Sequence, residues 1–571
     1  MVSTPLWMRW VLSLKDSGSN LGVLFFATMP CGQMLPSRGL TWWILWSEFS
    51  TPDERCPSPA PPRQAPSGLE YRALSAPHTP DLLAFPRPIT PTWISALPTP
   101  VRRTKIVATL GPVWATKDRM HAFLEAGVDV VRINTSHGTP ELRSRWIQDL
   151  QDVIRERGRA TAILVDLRGP RIRVGTLASP MTLVEGEEVV FAPEGQAEAG
   201  EIPTTYPQLA NDVPPGRHIL LNDGILDCEV LAVEGVRVRA RVVHGGVLGS
   251  NKGINLPGVE VSAPALTDSD REEAIRAVAL GVDYIGLSFV RRAEDVLSVK
   301  QILPRHVKVI AKIEKDTALL HLDGILYAAD AIMVARGDLG VELPFEQVPL
   351  VQKRLIRESA RLGKPVITAT QMLESMIEAP RPTRAEASDV ANAILDGTDA
   401  VMLSAETAVG AYALNAIQAM DRIAREIESH RYGGDPDSAI WGAVGQQTST
   451  SSRTEDAIAI AARAAASQLG VPVIACLTSS GFTARTVASY RPPVPIVAVT
   501  PEGEAYRQLS LVWGVVPVLV DHQPSYEPMW AKTRERLLQL QLVEPGDRVV
   551  VTAGVPFDQP GTTNLLKVET V

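Results

Sequence analysis

Short apolar runs alternate with helical patterns along the chain from residue 104 onward. The intervening segments carry apolar residues at every third or fourth position, most clearly over 117–126, 141–157 and 345–362. This alternation predicts an α/β fold built on parallel strands. The candidate strands of the first part of the chain are 105–110, 128–135, 162–167, 284–290, 307–313, 331–335, 365–370 and 400–404.

Eight such strands with helices between them are what a closed (β/α)8 TIM barrel requires, here built from residues 101–174 and 265–432. The connection after the third strand is far too long for a barrel loop. Residues 175–264 are rich in valine and turn residues and lack strong helical periodicity, which predicts an inserted small all-β domain, a β-barrel lid on the rim. Residues 433–571 open with a polar stretch, 446–453, and then predict a doubly wound C-terminal α/β regulatory domain. Its candidate strands are 471–477, 496–499, 516–520 and 548–552.

The first hundred residues differ from the rest. They hold six of the eleven tryptophans and sixteen prolines, and they show no sustained periodicity. Their apolar patches, 21–29 and 40–46, are much shorter than the roughly 20 residues of a membrane span, and no convincing secretory signal precedes them. Our hypothesis is that native sequence begins near Val101, after translated noncoding sequence or a misplaced start. The alternative is a genuine disordered extension.

Composition narrows the class of protein. A chain of 571 residues with 45% hydrophobic and 21% charged residues is typical of a soluble protein of about three or four domains. The net charge of -8 argues against nucleic acid or an anionic membrane as the main partner, but not against small anions held by local charge. The four cysteines show no disulfide or metal-ligand spacing, which agrees with a reducing, cytoplasmic location.

Polar side chains stand at the ends of six predicted barrel strands, where the catalytic groups of TIM barrels gather. Polar groups are disfavoured at buried positions unless they have partners, so their joint occurrence indicates a site. The residues in question are Arg132, Asn134 and Ser136 after the second strand, Asp166 after the third, Lys312 and Glu314 after the fifth, Asp338 after the sixth, Thr370 after the seventh, and Ser404 after the eighth.

Lys312 and Glu314 are two residues apart on one strand, so both can face the barrel mouth. Glu314 and Asp338 then offer two hard oxygen ligands of the kind that Mg²⁺ takes, with Mn²⁺ as a possible substitute. Lys312 and Arg132 add positive charge beside that metal, which suits an anionic substrate with phosphate and carboxylate groups. Taken alone, a Lys-x-Glu pair is more often a surface ion pair, and Arg132 could be a structural partner of a nearby carboxylate.

Several long segments resemble the pyruvate kinase family, and the resemblance runs from about Val101 to the C-terminus. It implies transfer of the phosphoryl group of phosphoenolpyruvate to ADP, with Mg²⁺ as the metal. The segments are TKIVATLGP from Thr104, RINTSHG from Arg132, GINLPG from Gly253, MVARGDLGVE from Met333, ATQMLESM from Ala369 and PRPTRAE from Pro380.

The resemblance also implies roles for individual residues. Lys312 would bridge the phosphoryl group and the enolate oxygen, Arg132 would contact the phosphoryl group, and the backbone of Arg336 and Gly337 would hold the substrate carboxylate. Thr370 would lie near the carbon that is protonated. Whether Thr370, Lys312 or a relay through Ser404 delivers the proton stays open. Glu314 and Asp338 would bind Mg²⁺, whereas Arg173, Lys252 and Asn134 would contact the nucleotide.

Many family members also bind K⁺ at positions that match Asn134, Ser136, Asp166 and Leu167. Those that require K⁺ usually have threonine at position 167 and glutamate at position 171, where this chain has Leu167 and Arg171. A fixed guanidinium could replace or repel the ion. We therefore predict activity that is largely independent of K⁺.

A loop of the predicted C-terminal domain could cradle the phosphate of a sugar-phosphate or nucleotide effector, because it lies between a strand and a helix. Ordinary helix capping by serine or threonine is the alternative. The loop comprises Thr478, Ser479, Ser480, Gly481 and Thr483. The family resemblance adds the expectation of a homotetramer, and the segments GVPF from Gly554 and GTTN from Gly561 look like bacterial forms.

Two other functions remain open from the residues alone. One is another Mg²⁺-dependent barrel enzyme acting on pyruvate or phosphoenolpyruvate, such as a lyase or mutase, although it would have no evident need of Lys252 and Arg173. The other is a catalytically silent metabolite-binding protein, against which the intact set of Lys312, Glu314, Asp338 and Thr370 speaks.

Overall fold

The computed structural model describes residues 8–13, 24–29, 102–432, 453–556 and 561–571. The chain divides into two units, and the N-terminal unit contributes one antiparallel strand pair, β1 (Met8–Ser13) with β2 (Leu24–Met29). Apart from these strands, the hypothesis about residues 1–100 concerns residues outside the described ranges. The same holds for almost all of the predicted polar stretch 446–453.

The second unit contains the remaining strands and the helices. Its strands are β3 (Lys105–Thr109), β4 (Val130–Asn134), β5 (Ala162–Asp166), β6 (Met181–Leu183), β7 (Glu188–Pro193), β8 (Ile202–Thr204), β9 (His218–Leu221), β10 (Leu226–Glu234), β11 (Arg237–His244), β12 (Gly246–Leu248), β13 (Ile254–Asn255), β14 (Tyr284–Leu287), β15 (Lys308–Ile313), β16 (Ala331–Ala335), β17 (Val366–Ala369), β18 (Ala400–Leu403), β19 (Ile474–Leu477), β20 (Ile496–Thr500), β21 (Val515–Leu519), β22 (Arg548–Ala553) and β23 (Leu565–Thr570).

The helices alternate with these strands. They are α1 (Lys117–Glu125), α2 (Pro140–Arg157), α3 (Leu209–Asp212), α4 (Asp268–Ala279), α5 (Ala293–Lys300), α6 (Thr317–Leu320), α7 (Leu322–Ala328), α8 (Arg336–Glu342), α9 (Val348–Arg361), α10 (Arg384–Asp396), α11 (Ala405–Ala408), α12 (Ala413–Tyr432), α13 (Thr454–Leu469), α14 (Phe482–Ser489), α15 (Gly503–Gln508) and α16 (Tyr526–Gln539).

Local sequence explains where several helices begin and end. Helix α10 begins with a capping box, in which the Thr383 hydroxyl accepts from the Glu386 amide and the Glu386 carboxylate accepts from the Thr383 amide. Helix α2 ends at Gly158, whose φ of 62° lies in the left-handed region that glycine adopts readily. None of the described helices is long and apolar enough to cross a membrane.

Eight parallel strands close into a barrel in the order β3, β4, β5, β14, β15, β16, β17 and β18, with β18 pairing to β3. This confirms the (β/α)8 prediction. Side chains such as Val107, Leu164 and Ile310 fill the interior, and Leu511 of the C-terminal domain joins the same cluster. A larger apolar layer, including Phe123 and Trp146, packs between the strands and the surrounding helices.

The insert between β5 and β14 is almost entirely β-structure. One sheet has the strand order β13-β9-β10-β11-β7-β8, and β12 pairs with β6 separately. The insert has its own buried core around Phe191, Ile219 and Leu221. We call this insert the lid.

The C-terminal domain is a five-stranded sheet in the order β21-β20-β19-β22-β23, in which only the edge strand β23 is antiparallel. The domain contacts the end of the barrel where the strands begin. Tyr284 at the start of β14 donates to the Gln508 carbonyl at 2.8 Å, and Lys105 at the start of β3 donates to the Val515 carbonyl at 2.8 Å. The opposite end of the barrel, at the carboxyl ends of the strands, is therefore left for a site.

Candidate active site

The predicted polar side chains converge where the barrel strands end. Neighbouring strands β4 and β5 place Asn134 opposite Asp166, and β15 places Lys312 opposite Met333 of β16. Glu314 follows β15 directly. Helix α8 begins immediately after β16, so its first turn lies at the same end of the barrel.

Asp166 lies between the two cationic side chains of the site. Its Oδ2 accepts from Arg132 Nε at 2.7 Å, and its Oδ1 lies 3.2 Å from Lys312 Nζ. Burial would raise the pKa of Asp166, but Lys312 and Arg132 outweigh burial and hold this pKa below its usual range. The Asp166 carboxylate, favoured in its ionised form by these two neighbours, therefore holds both cations in one place.

Lys312 is held by three oxygen atoms. Its Nζ lies 2.7 Å from Glu314 Oε1 and donates to Ser288 Oγ at 2.6 Å, in addition to the contact with Asp166. Burial would lower the pKa of Lys312, yet Asp166 and Glu314 raise it above the ordinary value. The side chain is thus a fixed ammonium at the barrel mouth.

Glu314 and Asp338 are the two carboxylates that could hold a metal. Burial raises the pKa of Glu314, and Asp338 adds to this shift although Lys312 opposes it. Glu314 Oε2 accepts from the Phe289 amide at 2.6 Å. Asp338 lies in the first turn of α8, and its carboxylate has no hydrogen bond or ion pair to any other described residue. Two neighbouring carboxylates that repel one another, of which Asp338 has no partner for its oxygens among the described residues, are a donor set that fits Mg²⁺.

The turn after β17 meets the start of α8. Thr370 adopts a left-handed backbone with φ of 67°, which is uncommon for a β-branched residue, and its hydroxyl accepts from the Gly337 amide at 2.7 Å. The Arg336 side chain supports this turn, since its Nη2 donates to the Thr370 carbonyl at 2.7 Å and its Nη1 pairs with Asp389. The Arg336 side chain is thus engaged in the turn, and the Gly337 amide donates to Thr370, so a carboxylate contact through the backbone of Arg336 and Gly337 stays a prediction.

The predicted nucleotide contacts lie where the lid joins the barrel. Arg173 pairs with Gly253 in an isolated bridge, and its Nη1 donates to the Asn251 carbonyl at 2.7 Å. Burial and the neighbouring Arg171 and Arg168 lower the pKa of Arg173. Lys252, next to Gly253, is exposed.

The four residues matched to a K⁺ site lie around the ends of β4 and β5. The Asn134 side-chain oxygen accepts from the Ser136 amide at 3.0 Å, which orients that oxygen. The Leu167 side chain packs in the apolar layer between the strands and the helices, and its carbonyl accepts from Ser288 Oγ at 2.8 Å. Only the Leu167 carbonyl could therefore face an ion. Arg171 is exposed.

Two contacting residues of the site were missed by the sequence reasoning. The predicted site residues come from the ends of six strands, and neither the first nor the fourth strand is among them. Thr109, at the end of β3, accepts from Arg132 Nη1 at 2.9 Å, and Ser288, just after β14, accepts from Lys312. Applying the same strand-end rule to all eight strands would have found both.

The predicted effector loop joins β19 to α14. Gly481 has φ of 76° at the N-cap position of this helix, and the Thr483 hydroxyl is hydrogen-bonded to the Thr563 hydroxyl at 2.8 Å. Thr478 is buried, whereas Ser479 and Ser480 are partly exposed. The side chains most accessible to a ligand in this loop are therefore the two serines.

Comparison with known proteins agrees with this architecture. Residues 101–417 match the family described as "Pyruvate kinase, barrel domain", and residues 456–569 match "Pyruvate kinase, alpha/beta domain". A solved structure of a pyruvate kinase from Cryptosporidium parvum is similar with a TM-score of 0.77 at 33% identity, covering 82% of this chain and 96% of that one.

Curated relatives are similar over the same extent. The pyruvate kinase of Geobacillus stearothermophilus is 44% identical over 479 residues, covering 82% of this chain and 80% of the relative. The pyruvate kinase of Mycobacterium tuberculosis is 44% identical over 478 residues, covering 82% of this chain and 98% of the relative. With the barrel, the lid, the C-terminal domain and the charged mouth in place, the chain belongs to the pyruvate kinase family of phosphotransferases.

Proposed function

We propose that the barrel mouth transfers the phosphoryl group of phosphoenolpyruvate to ADP, giving pyruvate and ATP in the last step of glycolysis. The observation that carries this proposal is the arrangement of Arg132 and Lys312 on the two oxygens of Asp166, beside the carboxylates of Glu314 and Asp338. Two fixed cations next to a pair of hard oxygen ligands suit a substrate that carries both phosphate and carboxylate.

The charges of the mouth favour a divalent cation. Arg132 and Lys312 are positive, while Asp166, Glu314 and Asp338 are negative, so the side chains alone repel an anionic substrate. We assign Mg²⁺ to Glu314 and Asp338, with Mn²⁺ as a possible substitute. When bound, the metal would reverse the net charge and orient substrate oxygens.

Lys312 and Arg132 supply the protein's own electrostatic stabilisation. The Lys312 ammonium is held rigidly by Ser288, Asp166 and Glu314, so no reorganisation is needed when charge develops between the phosphoryl group and the enolate oxygen. Arg132 donates to Thr109 and Asp166, which aims its guanidinium at the phosphoryl side of the mouth.

The start of α8 is the candidate carboxylate site. The amides of Arg336 and Gly337 are the first of a helix, where backbone N–H groups favour anions. The Gly337 amide donates to the Thr370 hydroxyl at 2.7 Å, so a bound carboxylate would share or replace this hydrogen bond and lie beside Thr370, near the carbon that is protonated. Lys312 and a relay through Ser404 are the other proton sources that we consider.

Arg173 and Lys252 are proposed to hold the phosphates of ADP, together with Asn134. Both basic residues lie at the junction of lid and barrel, so lid closure would bring them over the mouth and expel water. Their position also speaks against a lyase or mutase, which would have no nucleotide to bind.

The experiment that tests the reaction is an assay of ADP-dependent pyruvate formation with phosphoenolpyruvate and Mg²⁺, at constant ionic strength, with K⁺ either present or exchanged for a bulky organic cation. We expect pyruvate formation to depend on ADP, and to change less than about threefold without K⁺, because Arg171 stands where family members that require K⁺ usually have glutamate. A collapse of the rate without K⁺ would refute the ion prediction alone. Pyruvate released without ADP would indicate a lyase, and ligand binding without turnover would indicate a sensing protein.

Regulation and assembly complete the proposal. Ser479 and Ser480 border the start of α14 and could contact the phosphate of a sugar-phosphate or nucleotide effector. Four large apolar side chains between residues 320 and 350 of the barrel are exposed, a feature of interaction surfaces that supports a homotetramer. These are Leu320, Tyr327, Phe345 and Leu350.

We place the enzyme in the cytoplasm, where glycolytic intermediates are found.

A further inference from the structure

A buried ion pair lies beneath the lid, next to the groups described above but separate from them. Glu342, the last residue of α8, has a fully buried side chain, and its Oε1 lies 2.5 Å from Lys315 Nζ. The same oxygen accepts from Asn255 Nδ2 at 3.0 Å. Asn255 belongs to β13 of the lid, so the cluster joins the lid to the barrel.

Each of the three residues is attached to a different part of the site. Helix α8 carries Glu342 at one end and the substrate-binding and metal-binding turn at the other. Lys315 directly follows Glu314. Asn255 stands three residues after Lys252, on the segment where Gly253 pairs with Arg173. One oxygen of Glu342 therefore contacts Lys315, beside the proposed metal ligand Glu314, and Asn255, near the proposed nucleotide contact Lys252.

The cluster is poorly suited to a purely structural role. Glu342 Oε2 is buried without a hydrogen-bond partner among the described residues, whereas Oε1 carries both contacts. Buried charged pairs rarely stabilise a fold more than apolar residues of similar size would, and an unpaired buried oxygen is unfavourable. A buried ion pair of this kind is better explained if it favours one arrangement of the lid relative to the barrel.

We propose that Glu342 is a positioning residue that latches the lid, through Asn255, onto the helix that presents Gly337 and Asp338. This inference rests on the proposed function, since it assigns the latch to the same site. With the lid closed, Asn255 and Lys315 together fix the end of α8. With the lid open, Asn255 withdraws and Glu342 keeps only Lys315.

The latch couples the two substrates. A nucleotide on Lys252 and Arg173 favours the closed lid, and the closed lid favours the arrangement of α8 that binds phosphoenolpyruvate and metal. Coupling between two ligands is reciprocal, so phosphoenolpyruvate must favour the closed lid to the same extent.

Substitution of Asn255 separates the latch from general stability. Asn255→Asp places a carboxylate against Glu342, and Asn255→Ala only removes the hydrogen bond. We expect kcat/KM for ADP to fall about 10-fold in Asn255→Ala and about 100-fold in Asn255→Asp when phosphoenolpyruvate is saturating. Because the coupling is reciprocal, the affinity for phosphoenolpyruvate measured in the presence of ADP should weaken by a similar factor. The matched control is Asn211→Asp, the same change at an exposed position of the lid helix α3, which should behave as the parent.

An exchange of the two groups tests the contact directly. In the double variant Asn255→Asp, Glu342→Gln the amide is at position 342 and the carboxylate at position 255, so the same two groups face each other with their positions exchanged. We expect it to recover at least about 10-fold of the activity that Asn255→Asp loses, as contacting residues do in a double-mutant cycle. Failure to recover in a variant with parental thermal stability would overturn the latch.

Hydrogen exchange gives a readout that does not depend on turnover. In the parent, phosphoenolpyruvate with Mg²⁺ should slow amide exchange in α8 and in β13 together. In Asn255→Asp it should slow exchange in α8 alone. Equal protection of β13 in both proteins would contradict the latch. If the parent formed no pyruvate from phosphoenolpyruvate and ADP, the proposed function would be contradicted, and the exchange experiment would still test the latch.

Discussion

At the scale of single residues, the site depends on charges held in place by burial. Spacing alone predicted that Lys312 and Glu314 would share one side of their strand, and the 2.7 Å contact between them agrees. Spacing could not predict that Asp166 would bridge Arg132 and Lys312, because these residues come from three different strands. Such a contact follows from barrel closure rather than from local sequence.

Lys105 allows a prediction about pH at this scale. Its side chain is buried at the base of the barrel, and burial lowers its pKa to about 8 although Asp129 opposes the shift. Below about pH 8 Lys105 is protonated in both the folded and the unfolded chain, and the buried ammonium lowers the free energy of unfolding. Between about pH 8 and 10.4 only the unfolded chain keeps the proton, so this residue makes the free energy of unfolding rise by up to about 3 kcal/mol.

Lys105→Met should remove this rise. As the pH is raised from about 7.5 to 9.5, the parent should therefore become more stable relative to the variant. Urea unfolding measures this as a growing excess of the parent's free energy of unfolding over that of the variant. Lys117→Met, which changes an exposed lysine of α1, should leave the pH dependence unchanged. The same pH dependence in the Lys105 variant and the parent would contradict the prediction.

At the scale of elements, the barrel could be predicted because parallel strands buried on both faces read as continuous apolar runs. All five residues of β3, β5 and β16 are buried, for example. The edge strand β23 was not predicted, since its residues are partly or fully exposed and form no apolar run. The left-handed turn at Thr370 could not be predicted either, because Arg336 and Gly337 stabilise it from another element.

At the scale of the whole molecule, the two added domains occupy opposite ends of the barrel. The C-terminal domain closes the base, where Arg491 pairs with Asp399 at 3.0 Å and its guanidinium lies 4.8 Å from the Trp513 ring centre. The lid reaches the mouth through Asn255 and Glu342. The sequence indicated each domain by its pattern of apolar and turn residues, but these contacts between domains join residues 92 and 87 positions apart, which local patterns do not relate.

Assembly is the prediction that belongs to this scale. Phe345 is 83% exposed and lies near Leu350 in sequence, so a charge there should weaken association between copies of the chain. We expect Phe345→Asp to shift the sedimentation profile from a tetramer to smaller species. Val184→Asp, at an exposed apolar position of the lid, is the matched control and should sediment as the parent. A parent that sediments as a monomer would contradict the proposal.

The central claim is that the fixed ammonium of Lys312 drives phosphoryl transfer, and turnover of Lys312→Met tests it most directly. The control is Lys308→Met, the same change at the opposite end of β15. We predict that Lys312→Met loses about 1,000-fold in kcat while still binding phosphoenolpyruvate with Mn²⁺, and that Lys308→Met keeps its turnover. Unchanged turnover in Lys312→Met would contradict the account.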